Sequence, residues 1–422
     1  MLNETIAIHA GYDKHAGEKT MAVPIYQSTA YAFDNAEHAA NLFCLKELGN
    51  IYTRLMNPTT SVLENRFAAL EGAAGAIATS SGSAAIFYAI ANLAEAGDNI
   101  VSARNLYGGT LNLFSHTFKR FGITVRYFDP ENPSEIEGLI DDKTKAIFFE
   151  SLSNPAIEMV DFEAITAIAK KHGVITICDN TVATPILFKP LQNGIDVSVC
   201  SASKYISGQG LSLGGLLADR VGLNDFIVGN PRYAHFNEPD ESYHGLIYTS
   251  LPFPAFTLRA RLSLLRDIGA SASPFNSWQL VQGLETLSYR IKAHSANALE
   301  VAKFLEAHPK VKNVKYPGLK SHKHHHLAQK YLSGGLASGL VSFEAESFEA
   351  AKNIIDTVKI FTPVVNIGDS KSLVTHPAST THSQLSTEEL KVAGISERLV
   401  RLSIGLEEPS DLIEDLKNAL GD

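Results

Sequence analysis

Between Thr124 and Lys204 short apolar, β-branched runs alternate with a helical pattern, and that alternation decides the fold class. TVRYFD, KAIFFES, VITICDN and DVSVCSAS read as strands. DFEAITAIAKKHG reads as a helix capped by Asp161, basic at Lys170, Lys171 and His172, and stopped by Gly173. Strands joined through helices pair in parallel and need cover on both faces, so the pattern predicts a doubly wound α/β fold with a mainly parallel sheet. Two of these strands end in polar residues that a core strand does not need. Asp179, Asn180 and Thr181 follow one; Ser201, Ser203 and Lys204 follow the other. The crevice outside the carboxyl ends of such strands is the usual ligand site, so an acid and a lysine are expected in one cavity. Glu150 and Asn154 close the KAIFF strand and belong either to the same rim or to a solvated loop.

Other stretches carry groups suited to anions. In AIATSSGSAAIFYAIANLAEAGD a strand at 76–78 runs into Ser80, Ser81, Gly82 and Ser83, and Ala84 to Leu93 reads as a helix. The first-turn N–H groups and the helix dipole favour a phosphate there; a plain capped helix is the alternative. Tyr107 sits at the tip of a strand that ends in a Gly-Gly turn, where it either stacks on a flat ligand or simply packs. Tyr52 and Arg54 precede a helix capped by Thr59, Thr60 or Ser61 and ended by Gly72. In an extended segment their side chains point the same way and suit an anion. Residues 1–55 read as an irregular arm, with 23–33 an apolar extended piece that reaches another subunit or wraps its own chain. Residues 56–271 then form the ligand-binding domain. Residues 272–422 form a smaller α+β domain, with a long or broken helix over 280–305, strands at SGLVSFEA and RLVRLSIGL, and amphipathic helices at SFEAAKNIIDTV and DLIEDLKNAL.

Composition narrows the partners. A formal net charge of -9 with no Lys/Arg block argues against nucleic acid and for a small-molecule partner. Cys44, Cys178 and Cys200 lack metal-ligand spacing, and two lie inside apolar strands, so they read as buried reduced thiols. The amino terminus has no basic region followed by an apolar stretch, and no window reaches the length of a membrane span, so a cytoplasmic protein is expected. His322, His324, His325 and His326 have no Cys or carboxylate at ligand spacing and read as a solvated loop rather than a metal site.

The set of side chains points to one ligand. A strand-end lysine held deprotonated can form an imine with an aldehyde, an aspartate on the neighbouring tip can keep a heteroaromatic nitrogen protonated, and a helix N-terminus with serines and an arginine can hold phosphate. Together they describe pyridoxal 5′-phosphate. No GxGxxG lies between a first strand and helix, which removes the nucleotide-binding oxidoreductase reading.

ICDNTVATP around Asp179, SASKYISGQG around Lys204, IYTRLMNPT around Tyr52, TSSGSAA, LYGGT, FFESLSNP, HPASTTH at 376–382 and VRLSIGLE at 400–407 resemble the Cys/Met-metabolism enzymes that use pyridoxal phosphate, of fold type I. The resemblance implies that Lys204 bonds the cofactor, Asp179 partners its ring nitrogen and Tyr107 stacks on the ring. It implies phosphate contacts from the Gly82 and Ser83 N–H groups and the Ser201 and Ser203 hydroxyls, with Thr181 beside them. Tyr52 and Arg54 would serve the neighbouring subunit's site, making the active unit at least a dimer and the usual assembly a homotetramer. Arg401, Asn154 and Asn366 would take the substrate, and Tyr107 and Tyr52 would help in proton transfer. Ser83 stands where much of the family has Met; the implied contact is through backbone and survives. NIGDSKS at 366–372 and the long segment 219–271 resemble the sulfhydrylase branch, which implies γ-replacement on O-acetylhomoserine by sulfide, a thiol or a protein-bound sulfur carrier. The γ-synthase and γ-lyase branches are the alternatives.

Overall fold

The computed structural model describes residues 1–380, 383, 390 and 395–421. The end of the HPASTTH motif, Thr381 and His382, lies outside the described residues.

Seven strands form the larger sheet: β1 (Ala73–Thr79), β2 (Asn99–Ala103), β3 (Thr124–Phe128), β4 (Thr144–Glu150), β5 (Ile175–Asp179), β6 (Val197–Ser201) and β7 (Gly215–Arg220). Their order is β1-β7-β6-β5-β4-β2-β3, with β2 to β6 parallel to one another and β7 antiparallel to both β6 and β1. Strand β7, GLLADR, has no place in the βαβ alternation, and it closes the sheet between β1 and β6. The central strands are buried from both sides, as Ile147, Phe148, Ile175, Ile177, Val197 and Val199 show. Helices Pro58–Glu71 and Gly82–Ala91 pack on β1, β6 and β7, and Phe162–His172 packs on β5. The last has the predicted Asp161 cap and a left-handed Gly173 at its end.

The smaller sheet has the order β10-β11-β12-β9-β8, from β8 (Lys312–Lys315), β9 (Leu340–Glu344), β10 (Thr362–Pro363), β11 (Leu373–Thr375) and β12 (Leu399–Ser403). One unbroken helix, Pro274–Ala307, touches both halves: Pro58–Glu71 on one side, β8 and β9 on the other. Its 34 residues span about 50 Å, enough to tie the two sheets together.

Five local expectations change. Cys44, expected to be a buried thiol like Cys178 and Cys200, is exposed just past the end of a short helix. Asn57, not Thr59, Thr60 or Ser61, caps Pro58–Glu71, because Pro58 at the first helical position places the Asn57 carboxamide oxygen on the Thr59 and Thr60 amides. Gly108 and Gly109 open a short helix instead of making a turn. The arm is not wholly irregular. Helix Asn3–His9 packs on its own chain, where Glu4 accepts from Ser288 and Lys292 and Arg66 Nε donates to Ala10 O. A second helix spans Ala36–Phe43. Finally, the histidine-rich stretch is no solvated loop: His322 and His324 are buried, and His324 accepts from the Met159 amide through Nδ1 and meets Glu131 through Nε2 at 2.8 Å. Glu131 is almost 200 residues away in the chain, so no local spacing announces it.

Candidate active site

The strand tips of the larger sheet and the loops of the smaller one enclose a single cleft. Its wall includes Ser81, Gly82, Ser83, Tyr107, Glu150, Asn154, Asp179, Thr181, Ser201, Ser203, Lys204, Asn366 and Arg401. The acid and the lysine therefore do share one cavity. Tyr52 and Arg54 are not part of this wall. They lie on an exposed turn rather than an extended segment, with the Leu55 and Met56 amides donating to Tyr52 O and the Arg54 guanidinium 5.4 Å from the Tyr52 ring centre.

One side of the cleft is acidic. Glu150 and Asp179, the last residues of β4 and β5, are direct register partners. Adjacent strands bring such pairs within about 5 Å, so burial and mutual repulsion act together. Burial, and then the Asp179 charge, push the Glu150 carboxyl well above the usual range. Burial also raises Asp179, opposed by two bonds to its Oδ1, from the Thr181 hydroxyl at 2.5 Å and the Thr181 amide at 2.9 Å. The Thr181 hydroxyl oxygen accepts in turn from the Ser201 amide at 2.8 Å, which ties the β5 tip to the β6 tip.

The opposite side is cationic. Lys204 Nζ donates to Asn366 Oδ1 at 2.7 Å, while Arg401 donates to Asn366 O at 2.9 Å and to Asn154 Oδ1 at 3.0 Å. Burial first, and the Arg401 charge second, pull the Lys204 amine below its ordinary value. Arg401 is 2% exposed and its buried Nε has no partner among the described residues, so the cleft holds an unused donor on a desolvated cation. Asn366 reaches Lys204 because the following turn packs on the lysine's own peptide: Gly368 has φ +73°, and a Cβ there would stand 2.6 Å from Tyr205 N.

The third side is built from close backbone. Ser81 caps helix Gly82–Ala91 by accepting from the Ala84 amide, leaving the Gly82 and Ser83 amides at the open first turn. A Cβ on Gly82 would lie 2.5 Å from Ser201 Cβ, so only glycine lets this turn approach the β6 tip. Ser203 is anchored separately, exchanging bonds with Gly214 O and N.

This geometry fits pyridoxal 5′-phosphate. A desolvated amine and a half-buried carboxylate line one cleft, open amides stand beside serine hydroxyls, and the unused Arg401 donor awaits an anion. Sequence reasoning left Glu150 without a task and did not foresee Thr110, Val182, Leu213 or Val365 in the wall. Val182, Leu213 and Val365 are apolar residues outside regular elements, and Thr110 sits in a short helix; none of these gives a signal before the chain is folded.

A mainly parallel sheet whose strand tips carry such a lysine and aspartate defines the class: a fold type I pyridoxal-phosphate-dependent enzyme. The family model for Cys/Met metabolism PLP-dependent enzymes matches residues 4–421, and the chain belongs to that family. It is 47% identical over 427 aligned positions to the O-acetyl-L-homoserine sulfhydrylase of Leptospira meyeri, covering 99% of this chain and 96% of that one. It is 44% identical to the homocysteine synthase of Schizosaccharomyces pombe, covering 99% and 97%. Among solved structures, a Campylobacter jejuni protein provisionally called an O-acetylhomoserine (thiol)-lyase superposes with a TM-score of 0.98 at 54% identity, each chain covered completely, and carries an N′-pyridoxyl-lysine-5′-monophosphate.

Proposed function

We propose that the protein catalyses γ-replacement on O-acetyl-L-homoserine with sulfide, giving L-homocysteine and acetate, in methionine biosynthesis. The names of its relatives support the substrate pair. The observation that carries the chemistry is the hydrogen-bonded set Lys204–Asn366–Arg401–Asn154, with Arg401 and Asn154 buried, in the same cleft as Asp179.

Lys204 is the amine that holds the cofactor's aldehyde, and Asp179 is the carboxylate at its ring nitrogen. Gly82 and Ser83 amides with the Ser201 and Ser203 hydroxyls take its phosphate, Tyr107 covers its ring, and Thr181 orients Asp179. When bound, pyridoxal phosphate supplies an electron sink for charge left at the substrate's α-carbon. Arg401 pairs with the substrate carboxylate through a guanidinium already desolvated, and Asn154 and Asn366 fix its plane. Lys204 Nζ, held below its ordinary pKa, accepts the α-proton and carries protons at the β-carbon; Asn366 Oδ1 is positioned to receive the amine between these transfers.

Tyr52 and Arg54 serve the cleft of a neighbouring copy in a homotetramer, Arg54 at the phosphate and Tyr52 as an aid in proton transfer. They are exposed on a surface that also displays Ile25, Tyr26, Phe33 and Phe43. The proposed domain limits are an arm over 1–55, the cofactor domain over 56–271 and the smaller domain over 272–422, which keep each sheet within one domain. No described helix is long and apolar enough to cross a membrane; a cytoplasmic location is part of the proposal, in keeping with the metabolic enzymes named among its relatives. The sulfur donor is free sulfide, a thiol or a carrier protein. Purified protein offered acetyl-, succinyl- and phospho-homoserine with sulfide, methanethiol or cysteine tests this reading. Homocysteine from the acetyl ester and sulfide is expected; cystathionine as the main product, or 2-oxobutyrate without a nucleophile, would replace it with the γ-synthase or γ-lyase reading.

A further inference from the structure

Glu150 lies in the wall of the cleft, 7% exposed, and makes no ion pair among the described residues. Both of its oxygens are committed to backbone. Oε1 accepts from the Tyr107 amide at 2.7 Å and Oε2 from the Asn154 amide at 3.2 Å. These two amides come from different segments: Tyr107 follows β2, and Asn154 follows β4 itself. Each belongs to a residue whose side chain lines the cleft, and Asn154 Oδ1 is a partner of Arg401. A buried carboxyl beside Asp179 is costly to desolvate, and no local need of the fold demands one at the end of β4.

We propose that Glu150 is a positioning residue, a two-pronged latch that sets the Tyr107 segment and the Asn154 turn against each other and thereby fixes the cleft's width between the ring-covering side and the carboxylate-binding side. The latch rests on the roles given above to Tyr107 and Asn154. Sheet geometry explains why a carboxyl is needed. β2 is a direct neighbour of β4, so the chain leaving β2 crosses the β4 tip, where a side chain with two acceptors meets two converging N–H groups. A carboxamide of the same size offers one acceptor and turns its NH2 toward the other amide. A second tie, Asn105 Nδ2 to Glu158 Oε2 at 3.1 Å, holds the start of the same segment outside the cleft, so losing the latch loosens the segment without unfolding it.

The test is Glu150→Gln holoenzyme, with hydrogen–deuterium exchange read by mass spectrometry and steady-state kinetics beside it. We expect exchange to rise about tenfold in peptides covering 104–110 or 152–158 and to stay unchanged elsewhere. KM for the acyl-homoserine should rise about tenfold, with a smaller fall in kcat. Glu150→Asp, which keeps both acceptors but has a shorter reach, should loosen the same two peptides and no others, and it serves if the Gln variant does not fold. Exchange in both peptides equal to wild type, with kcat/KM within twofold, would overturn the latch. Loosening spread over the whole chain would also overturn it, since that is what a general structural role produces. Wild-type protein that binds no pyridoxal phosphate would instead refute the cofactor reading, and the exchange pattern would still decide the latch.

Discussion

The two sides of the cleft are built in different ways. The acidic side comes from one sheet: Glu150 and Asp179 end neighbouring strands in register, and the Thr181 hydroxyl binds the Ser201 amide on the next strand. Their separation follows from strand spacing and needs no other support. The cationic side joins three distant stretches, Lys204 from the large sheet, Asn366 from the loop after β10 and Arg401 from β12. Its parts keep their places only while the smaller sheet stays docked. On the roles proposed above, the ring partner Asp179 sits on one sheet, whereas the groups proposed to meet the substrate, Asn366 and Arg401, converge on the cleft from the smaller sheet.

Substitutions on each side should separate these roles. Lys204→Ala should be the most severe, with loss of the cofactor's lysine-linked absorbance and a fall in turnover of about 1,000-fold or more; turnover near wild type would remove the assignment. Asp179→Ala, on the acidic side, should retain some cofactor but slow exchange of the substrate's α-hydrogen with deuterated solvent by about 100-fold. Unchanged exchange would show that the acid does not act at the ring. Arg401→Lys keeps the charge and loses the fork, so KM for the acyl-homoserine should rise by about tenfold to 100-fold with less effect on cofactor binding. If cofactor affinity falls as much as substrate affinity, the contrast between the two sides is wrong.

The exposed arm extends the comparison beyond one chain. Arg54→Ala and Lys204→Ala proteins, each inactive or nearly so, should regain turnover when unfolded and reassembled together, because some mixed cleft would receive an intact Arg54 and an intact Lys204. Failure of mixed assemblies to exceed either parent would place Arg54 in its own chain's chemistry or outside the reaction.

A last prediction concerns stability rather than turnover. Glu71, fully buried at the end of helix Pro58–Glu71, accepts from Ser198 and Asn180, and burial raises its carboxyl from 4.5 to about 7. Between those values the folded chain keeps a proton that the unfolded chain has released, so this group's contribution is full below pH 4.5 and is lost as pH rises through about 7. Glu71→Gln does not titrate. Its stability relative to wild type, measured by denaturant unfolding of the same assembly, should therefore improve from pH 5 to pH 8 by up to ~3 kcal/mol. A gap independent of pH would mean that Glu71 stays charged throughout.

Much of this was readable along the chain because it is local. The strand runs ending at Asp179 and Ser201, the Asp161 cap, the Gly173 stop and the long apolar-striped helix each follow from side-chain period and a few terminal residues. The motifs around Asp179 and Lys204 likewise point to the cofactor class by residue type alone. Strand β7 escaped because an antiparallel insertion obeys no βαβ rhythm, and the Asn57 cap escaped because several candidate caps stood side by side.

Residue type and period determined the parallel sheet, the polar strand tips and the kind of ligand they suit, since those depend on neighbours a few positions away. Only the folded chain decided that Asn366 meets Lys204, that Arg401 is desolvated with a donor to spare, that Glu150 spends both oxygens on backbone, and that buried His324 finds Glu131. Such contacts join residues far apart in sequence. Their closeness is set by strand order and by the docking of two sheets, and neither leaves a mark in the spacing of residues along the chain.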